Sequence, residues 1–197
     1  MTTTKSLTQL AQIIAEADGK DADSAAKVHR QLRNLEAKQL ITPSGKAIDA
    51  RGTVVFDEVE GCRARLLCVL TDLGFDAQLL RQASDRMAPA ASGVHVSRMN
   101  GRKVETPYWD DSWAADNQIS KLPLAVRQND SWMLELRLIC DRGGNKSISG
   151  GFNPRPLTTE QKRDVAKVYE SQGISVQAVV RLPASKLVAP IVQAFAD

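Results

Sequence analysis

The chain has 197 residues, of which 43% are hydrophobic and 25% are charged. These fractions are those of an ordinary globular protein, and they exclude a chain that is disordered throughout. The formal net charge of +3 permits nucleic-acid binding without requiring it. Whether a protein binds nucleic acid depends more on whether its basic residues cluster on one face. No apolar run approaches the ~18 residues of a membrane span and no signal-peptide pattern begins the sequence, so we expect a cytoplasmic protein.

The cysteines and histidines do not indicate a catalytic or metal site. Cys62, Cys68 and Cys140 are too few, and odd in number, for a disulfide framework, so we expect reduced thiols. His29 and His95 have no metal-ligand spacing with the cysteines. No nucleophile elbow surrounds a serine, and no histidine lies near a cysteine in sequence. We therefore expect no enzyme activity, no catalytic residue, no metal and no cofactor.

Apolar periodicity predicts two helices near the N-terminus. Ser6 can cap the first, whose apolar residues recur at spacings of three and four. After a break at residues 18–21, Asp23 or Ser24 can cap the second. The second helix has an apolar line formed by Val28, Leu32 and Leu35.

A hairpin and two further helices are expected next. Two short β-prone pieces around residues 49–52 predict a small hairpin. Asp57 can cap a third helix that runs towards Leu73, and a short helix follows Gly74. Residues 88–106 begin with Ala, Pro, Ser and Gly, and we expect a linker or irregular segment there.

The second half is predicted to be a small α+β domain. The pattern turns extended from Pro123, and alternating residues from Trp132 to Ile139 predict a half-buried strand. A turn at 141–145, a return strand, a helix capped by Thr158 or Thr159, a β-branched strand and a final apolar helix follow. The order is β-β-α-β-α, so the fold class is α+β. The predicted domains are 1–87, the linker 88–106, and a dimerisation or partner domain at 107–197.

The second helix has a face suited to DNA. With the apolar line buried, about 100° of rotation per residue places Arg30 and Arg33 on the opposite side. Arginine can bond guanine edges or phosphates, and small residues let the backbone approach the groove closely. A charged outer face is also ordinary for a solvated helix, but a basic wing beside it favours DNA. The candidate DNA-binding residues are Ser24, Ala26, Lys27, His29, Arg30, Arg33 and Asn34, with Lys46 and Arg51 on the wing.

Residues 31–41 resemble the recognition-helix signature of the mercury-resistance-regulator (MerR) family. That signature runs Thr-Leu-Arg-Tyr-Tyr-Glu and, after a short gap, Gly-Leu-Ile. Residues 52–59 resemble the family's wing and the acidic start of its next helix, and residues 66–80 resemble its leucine-rich helix, Leu-Gly-Phe turn and following helix. The matching signature residues are Leu32, Arg33, Glu36, Leu40 and Ile41.

The resemblance covers about residues 7–83 and implies a winged helix-turn-helix. It implies that Arg33 contacts phosphate or groove, that Arg30 faces bases, and that Arg51 is a wing contact. Excisionase and phage-regulator folds share this layout. Where the family has a long dimerisation helix, this chain has Pro89 among small residues, so we assign pairing to the C-terminal half.

These patterns predict a sequence-specific DNA-binding protein, a transcriptional regulator of bacterial or phage type acting as a homodimer on double-stranded DNA. One alternative is a partition or recombination accessory factor. Another is a protein-interaction or assembly adaptor that reuses the fold, and an enzyme in the second half is a third. In the adaptor, acidic residues would lower the positive charge of the face that carries Arg30 and Arg33. These residues are Glu36, Asp49, Glu58 and Glu60.

Overall fold

The computed structural model has mixed helix and strand, so the predicted α+β class is confirmed. All pairings between its strands are antiparallel. The structure describes residues 3–19, 22–47, 52–88, 94–99, 102–107, 118–153 and 158–196.

The N-terminal half combines one small sheet with four helices. Its three short strands pair in the order β1-β3-β2. The pairing of β1 with β3 was not predicted, because two residues carry too little periodicity. The elements are β1 (Lys5–Ser6), α1 (Leu7–Ala17), α2 (Ala22–Ala37), β2 (Gly45–Lys46), β3 (Val54–Phe56), α3 (Glu58–Asp72) and α4 (Ala77–Met87).

Side-chain caps fix where three of these helices begin, and the one at α4 is Asp76, which accepts the Leu79 N–H. Ser6 and Gln9 form a reciprocal capping box at α1, as the sequence predicts for Ser6. Asp57 caps α3 by accepting a hydrogen bond from a backbone N–H one turn ahead. The prediction for α2 is wrong in detail: the helix begins at Ala22, so Asp23 and Ser24 lie in its first turn rather than at the cap.

The C-terminal half contains a second three-stranded sheet. Its order is β7-β6-β8, and from β6 onwards the elements follow the predicted β-β-α-β-α order. The elements are β4 (Val94–Met99), β5 (Arg102–Pro107), a 3-10 turn (Ile119–Lys121), α5 (Leu122–Arg127), β6 (Met133–Cys140), β7 (Lys146–Asn153), α6 (Thr159–Gln172), β8 (Ser175–Leu182) and α7 (Ala184–Ala196).

Two segments differ from the expectation. Part of the predicted linker is regular, because β4 and β5 pair as an antiparallel hairpin. The signal for it was Asn100-Gly101, the dipeptide that favours two-residue hairpin turns. The stretch after Pro123 was expected to be extended but is the helix α5, because proline is well tolerated in the first helical turn.

The two halves share one hydrophobic core. Buried residues of the N-terminal helices and of the second sheet form a single cluster, and α7 packs against α3, α5 and α1. Gly61 makes the approach of α7 to α3 possible: a Cβ added there would lie 3.0 Å from Ile191 Cγ2 and 3.3 Å from Leu10 Cδ2. The apolar face of α7 is therefore used mainly against helices of the same chain.

Helix α4 joins the two halves a second time. Gln82 Oε1 accepts the Ile148 N–H at 2.7 Å, and Arg86 Nε donates to the Ile148 carbonyl at 3.1 Å. Both backbone groups of one β7 residue are thus satisfied by α4 side chains. This contact covers the outer edge of β7 at that residue, which an unpaired strand would otherwise leave open.

Of the helices that the structure describes, none combines the length and the hydropathy that crossing a bilayer requires. Within the same residues, no group of three or more His, Cys, Asp or Glu side chains is arranged to hold a metal ion.

Two adjacent glycines in β7 provide a test of the second sheet. Gly150 has φ +112°, and a Cβ there would collide with the Glu135 carbonyl of β6. We expect Gly150→Ala to lower the free energy of unfolding by more than about 3 kcal/mol, since both strain and a backbone clash oppose it. Gly151→Ala is the matched control, because its nearest neighbour would be Arg86 O at 3.4 Å. Urea denaturation measures both, and equal losses would contradict this account.

Candidate nucleic-acid interface

Helix α2 buries one face and exposes the other, as its periodicity predicts. Val28, Leu32 and Leu35 are 5%, 0% and 3% exposed. Arg30 and Arg33 are exposed. The buried line therefore anchors α2 on the core, and the two arginines point away from it.

The two arginines are available to a ligand. Among the described residues, neither the Arg30 nor the Arg33 side chain has an ion-pair or hydrogen-bond partner. Each guanidinium presents a planar array of N–H donors that matches phosphates and guanine edges. An anion that binds Arg33 therefore has no intramolecular partner among the described residues to displace.

The remaining candidate residues divide by position. Ala26 and Asn34 are exposed beside the arginines, and Ser24 and His29 are half-buried on the flanks of α2. Lys46 is exposed on β2. The remaining candidate, Arg51, lies outside the described residues.

Lys27 contacts α3 as well as solvent. Its Nζ lies 3.8 Å from Asp72 Oδ1, the same oxygen to which Gln31 Nε2 donates at 2.7 Å. The Lys27 and Asp72 side chains are 68% and 45% exposed, so the ion pair adds little stability. Its consequence is positional, because it links one edge of α2 to the last residue of α3.

A buried ion pair holds the C-terminal end of α1. Arg65 of α3, 7% exposed, donates two hydrogen bonds to the carboxylate of Asp18, the residue that ends α1. The paired N–H fork fixes direction as well as distance. The Nε of Arg65 is buried with no hydrogen-bond partner among the described residues. The guanidinium therefore depends on Asp18 for its charge compensation.

This dependence can be tested by a double-mutant cycle. We expect Asp18→Asn to lower the free energy of unfolding by about 3 kcal/mol, because it leaves a buried guanidinium without its carboxylate. Combining it with Arg65→Met removes that charge, so the double variant should lose less than the sum of the two single variants. Urea denaturation of the four proteins gives the coupling, and strictly additive losses would refute it.

The C-terminal end of α2 has a left-handed residue. Gln39 has φ +56°, and the Leu40 N–H donates back to Leu35 O at 2.9 Å, which closes the helix. Arg81 of α4 donates to the Lys38 carbonyl at 2.8 Å. The chain therefore leaves α2 in a fixed direction.

A polar network ties the connector from α2 to β2 onto α3 and α4. Glu60 accepts the Thr42 N–H at 2.9 Å and pairs with Arg63 at 3.0 Å. Arg63 donates onward to Ser84 Oγ at 3.1 Å, and that hydroxyl lies 3.4 Å from the Leu40 carbonyl. The Arg63 and Glu60 side chains are 14% and 16% exposed, so solvent screens this network little.

Sequence reasoning missed these positioning residues. Asp72 and Arg81 carry no short-range pattern that would mark them, and the i,i+3 spacing of Glu60 and Arg63 is equally ordinary for a solvated helix face. Their partners on and after α2 lie 18 to 43 residues away in sequence. Only the folded arrangement brings them together, although the acidic start of α3 was visible as a pattern.

Two acidic residues that could blunt a basic face are already paired. Glu58 binds Arg127 of α5, and Glu60 binds Arg63. Glu36 is half-buried on α2. Asp49, the remaining residue of that set, lies outside the described residues. The negative charge of Glu58 and Glu60 is thus compensated within the chain.

The three cysteines are free thiols, as expected. Burial raises the pKa of the Cys62 thiol above its ordinary value, and the nearby carboxylate of Glu58 raises it further. Cys62 is therefore a neutral, unreactive residue of the core.

The left-handed residue at the end of α2 gives a second stability test. We expect Gln39→Gly to raise the free energy of unfolding by about 1 kcal/mol, because glycine adopts positive φ without a Cβ penalty. Ala37→Gly, two residues earlier in the last helical turn, should lower it by up to about 1 kcal/mol. Thermal and urea unfolding measure both, and a loss of stability in Gln39→Gly would contradict the assignment.

No protein-family model matches this sequence, and no curated protein matches it significantly. The resemblance to the MerR family therefore stands on the residues quoted for it.

Proposed function

We propose that this protein binds double-stranded DNA sequence-specifically, with α2 as the recognition helix of a winged helix-turn-helix. The observation that carries the proposal is the pair Arg30 and Arg33, exposed and without partners among the described residues, on a helix whose opposite face is buried. Two solvated guanidiniums on a rigid support are suited to an anionic, hydrogen-bonding ligand.

The dimensions of α2 suit a major groove. Its 16 residues give a length of ~24 Å at ~1.5 Å per residue, and the groove is wide enough for one helix. Ala26 and Ala37 are small and lie on the outward face with the arginines, so the backbone can approach the base edges. In this position Arg30 and Arg33 read guanine or hold phosphates, and Asn34 is suited to adenine.

The order of elements supports the winged helix-turn-helix. Helices α1 and α2 are followed by the β2–β3 hairpin and then by α3 and α4. The family signature has glycine at the position of Gln39, and the positive φ of Gln39 is the conformation that glycine favours. This agreement concerns backbone conformation and is independent of the quoted sequence matches.

The pairing of acidic residues favours DNA over a protein-interaction adaptor. The adaptor interpretation requires free carboxylates to cancel the basic face, yet Glu58 and Glu60 are each bound to an arginine. We propose accordingly a transcriptional regulator of bacterial or phage type, acting as a homodimer.

The proposal is tested by salt-dependent DNA binding. We expect the wild-type protein to bind fluorescent duplexes of random sequence at low salt, and to select a preferred site from that pool. Arg30→Ala with Arg33→Ala should weaken binding to the selected site by roughly tenfold or more per residue and lower the log–log salt slope by about 2 if both contact phosphate.

The matched control is Lys162→Ala with Arg163→Ala. It removes the same charge from exposed positions on α6, far in sequence from α2. We expect it to bind nearly as the wild type does. Equal weakening by both double variants would mean nonspecific charge attraction, and no binding by the wild type at low salt would end the proposal.

A further inference from the structure

The strand β8 has an open outer edge within the described residues. It ends the sheet β7-β6-β8, and no other described strand pairs with it. The opposite edge differs, because α4 side chains satisfy both backbone groups of Ile148 on β7. An open strand edge is a template for another strand.

The bonds at Ile148 determine which β8 groups face outwards. Because they point away from β6, the antiparallel pair of Ile148 with Leu138 is not hydrogen-bonded. Leu138 must then bond across to its β8 partner, Ala178. Because the backbone groups of successive residues in a strand point to opposite edges, the N–H and C=O of Val179 and Arg181 point outwards, away from β6.

The same edge exposes apolar surface. Val176 and Val179 are 42% and 43% exposed, two of the four large hydrophobic residues that stand out as exposed in the described chain. On the other face of β8, Ala178 and Val180 line an apolar cavity of about 190 Å³. Leu73, which is 56% exposed, lines that cavity too. An apolar edge of this kind is ordinarily protected.

We propose that β8 pairs antiparallel with β8 of a second copy of this chain, which joins two three-stranded sheets into one of six strands. This pairing would be the interface of the homodimer proposed above. The inference rests on the proposed function only in so far as that function leads us to expect a dimer. A two-fold axis makes the contact self-complementary, since each copy presents the same strand.

The outward groups specify the register. When Val180 faces Val180 of the second copy, Val179 of each copy bonds to Arg181 of the other, and all the outward groups of the regular segment are satisfied. A register centred on Val179 would instead place Arg181 opposite Gln177. That residue is the extra one in the β-bulge between β6 and β8, where the ladder is irregular.

Charge and packing agree with this register. Arg181 Nε donates to Glu135 Oε2 of its own chain at 2.7 Å, so its charge is compensated and does not face a second arginine across the axis. The facing Val180 side chains extend the apolar wall of the cavity into the second copy. Strand pairing and burial of apolar surface therefore come from one contact.

The first experiment blocks the outer edge alone. Val179→Pro removes an outward N–H and leaves the β6–β8 ladder intact, so it should convert the dimer to a monomer while the circular-dichroism spectrum stays that of the wild type. Val179→Lys tests the same edge without a proline. Leu124→Lys on α5 is the matched control, because Leu124 is also exposed, at 50%, and should remain dimeric.

The second experiment tests the register. In a Cys140→Ser background, Val180→Cys should form an intermolecular disulfide, because facing residues of a non-hydrogen-bonded pair have Cα atoms ~4.5 Å apart. Gln177→Cys is the control, since it would face Pro183 and should not cross-link. Cross-linking at Gln177 instead would overturn the register.

Light scattering without DNA supplies the deciding masses. A dimeric wild type with monomeric edge variants supports the proposal. A monomeric wild type, or a dimer that persists in both Val179 variants, overturns it. The readout separates this inference from the proposed function, because a protein that dimerises through β8 without binding DNA would refute only the latter.

Discussion

The close packing of α7 on α3 is the contact on which the rest of the structure depends. Gly61 has no side chain, and this lets Ile191 and Phe195 lie against α3 where any Cβ would crowd them. The last helix of the chain thereby completes the core of the first half. Because buried apolar area is the main favourable contribution to folding, the N-terminal helices and the C-terminal sheet are stabilised together.

Helix α3 also carries the polar groups that hold α2. Its start, middle and end each reach a different segment around α2: Glu60 the connector from α2 to β2, Arg65 the C-terminal cap of α1 at Asp18, and Asp72 the edge of α2 itself. These three contacts act on the ends and one edge of α2, and among the described residues none of them involves Arg30 or Arg33. A ligand contact on Arg30 and Arg33 would therefore require little rearrangement of the support.

Much of the fold follows from local sequence patterns. Most of the contacts that hold α2 in place do not. The apolar line of Val28, Leu32 and Leu35 determined both the buried face of α2 and the exposure of its arginines, since 3.6 residues per turn relates the two. The caps at Ser6 and Asp57 were equally local. The Asp18–Arg65 and Arg81–Lys38 contacts join residues more than 40 positions apart, and no short-range signal encodes such a distance. The helix after Pro123 was missed because proline is compatible with both an extended chain and a first helical turn.

Helix α4 has a consequence for how this sequence can evolve. Arg81, in its middle, restrains the exit from α2, and the adjacent Gln82 and, one turn later, Arg86 satisfy the backbone of β7. Residues 3–88 are consequently not a transferable unit, because, joined to an unrelated partner, they would lose both α7 and the backbone groups of Ile148 that α4 binds. Recombination at the small-residue segment after Met87 would have to bring a replacement for each, so the two halves are expected to be inherited as a unit.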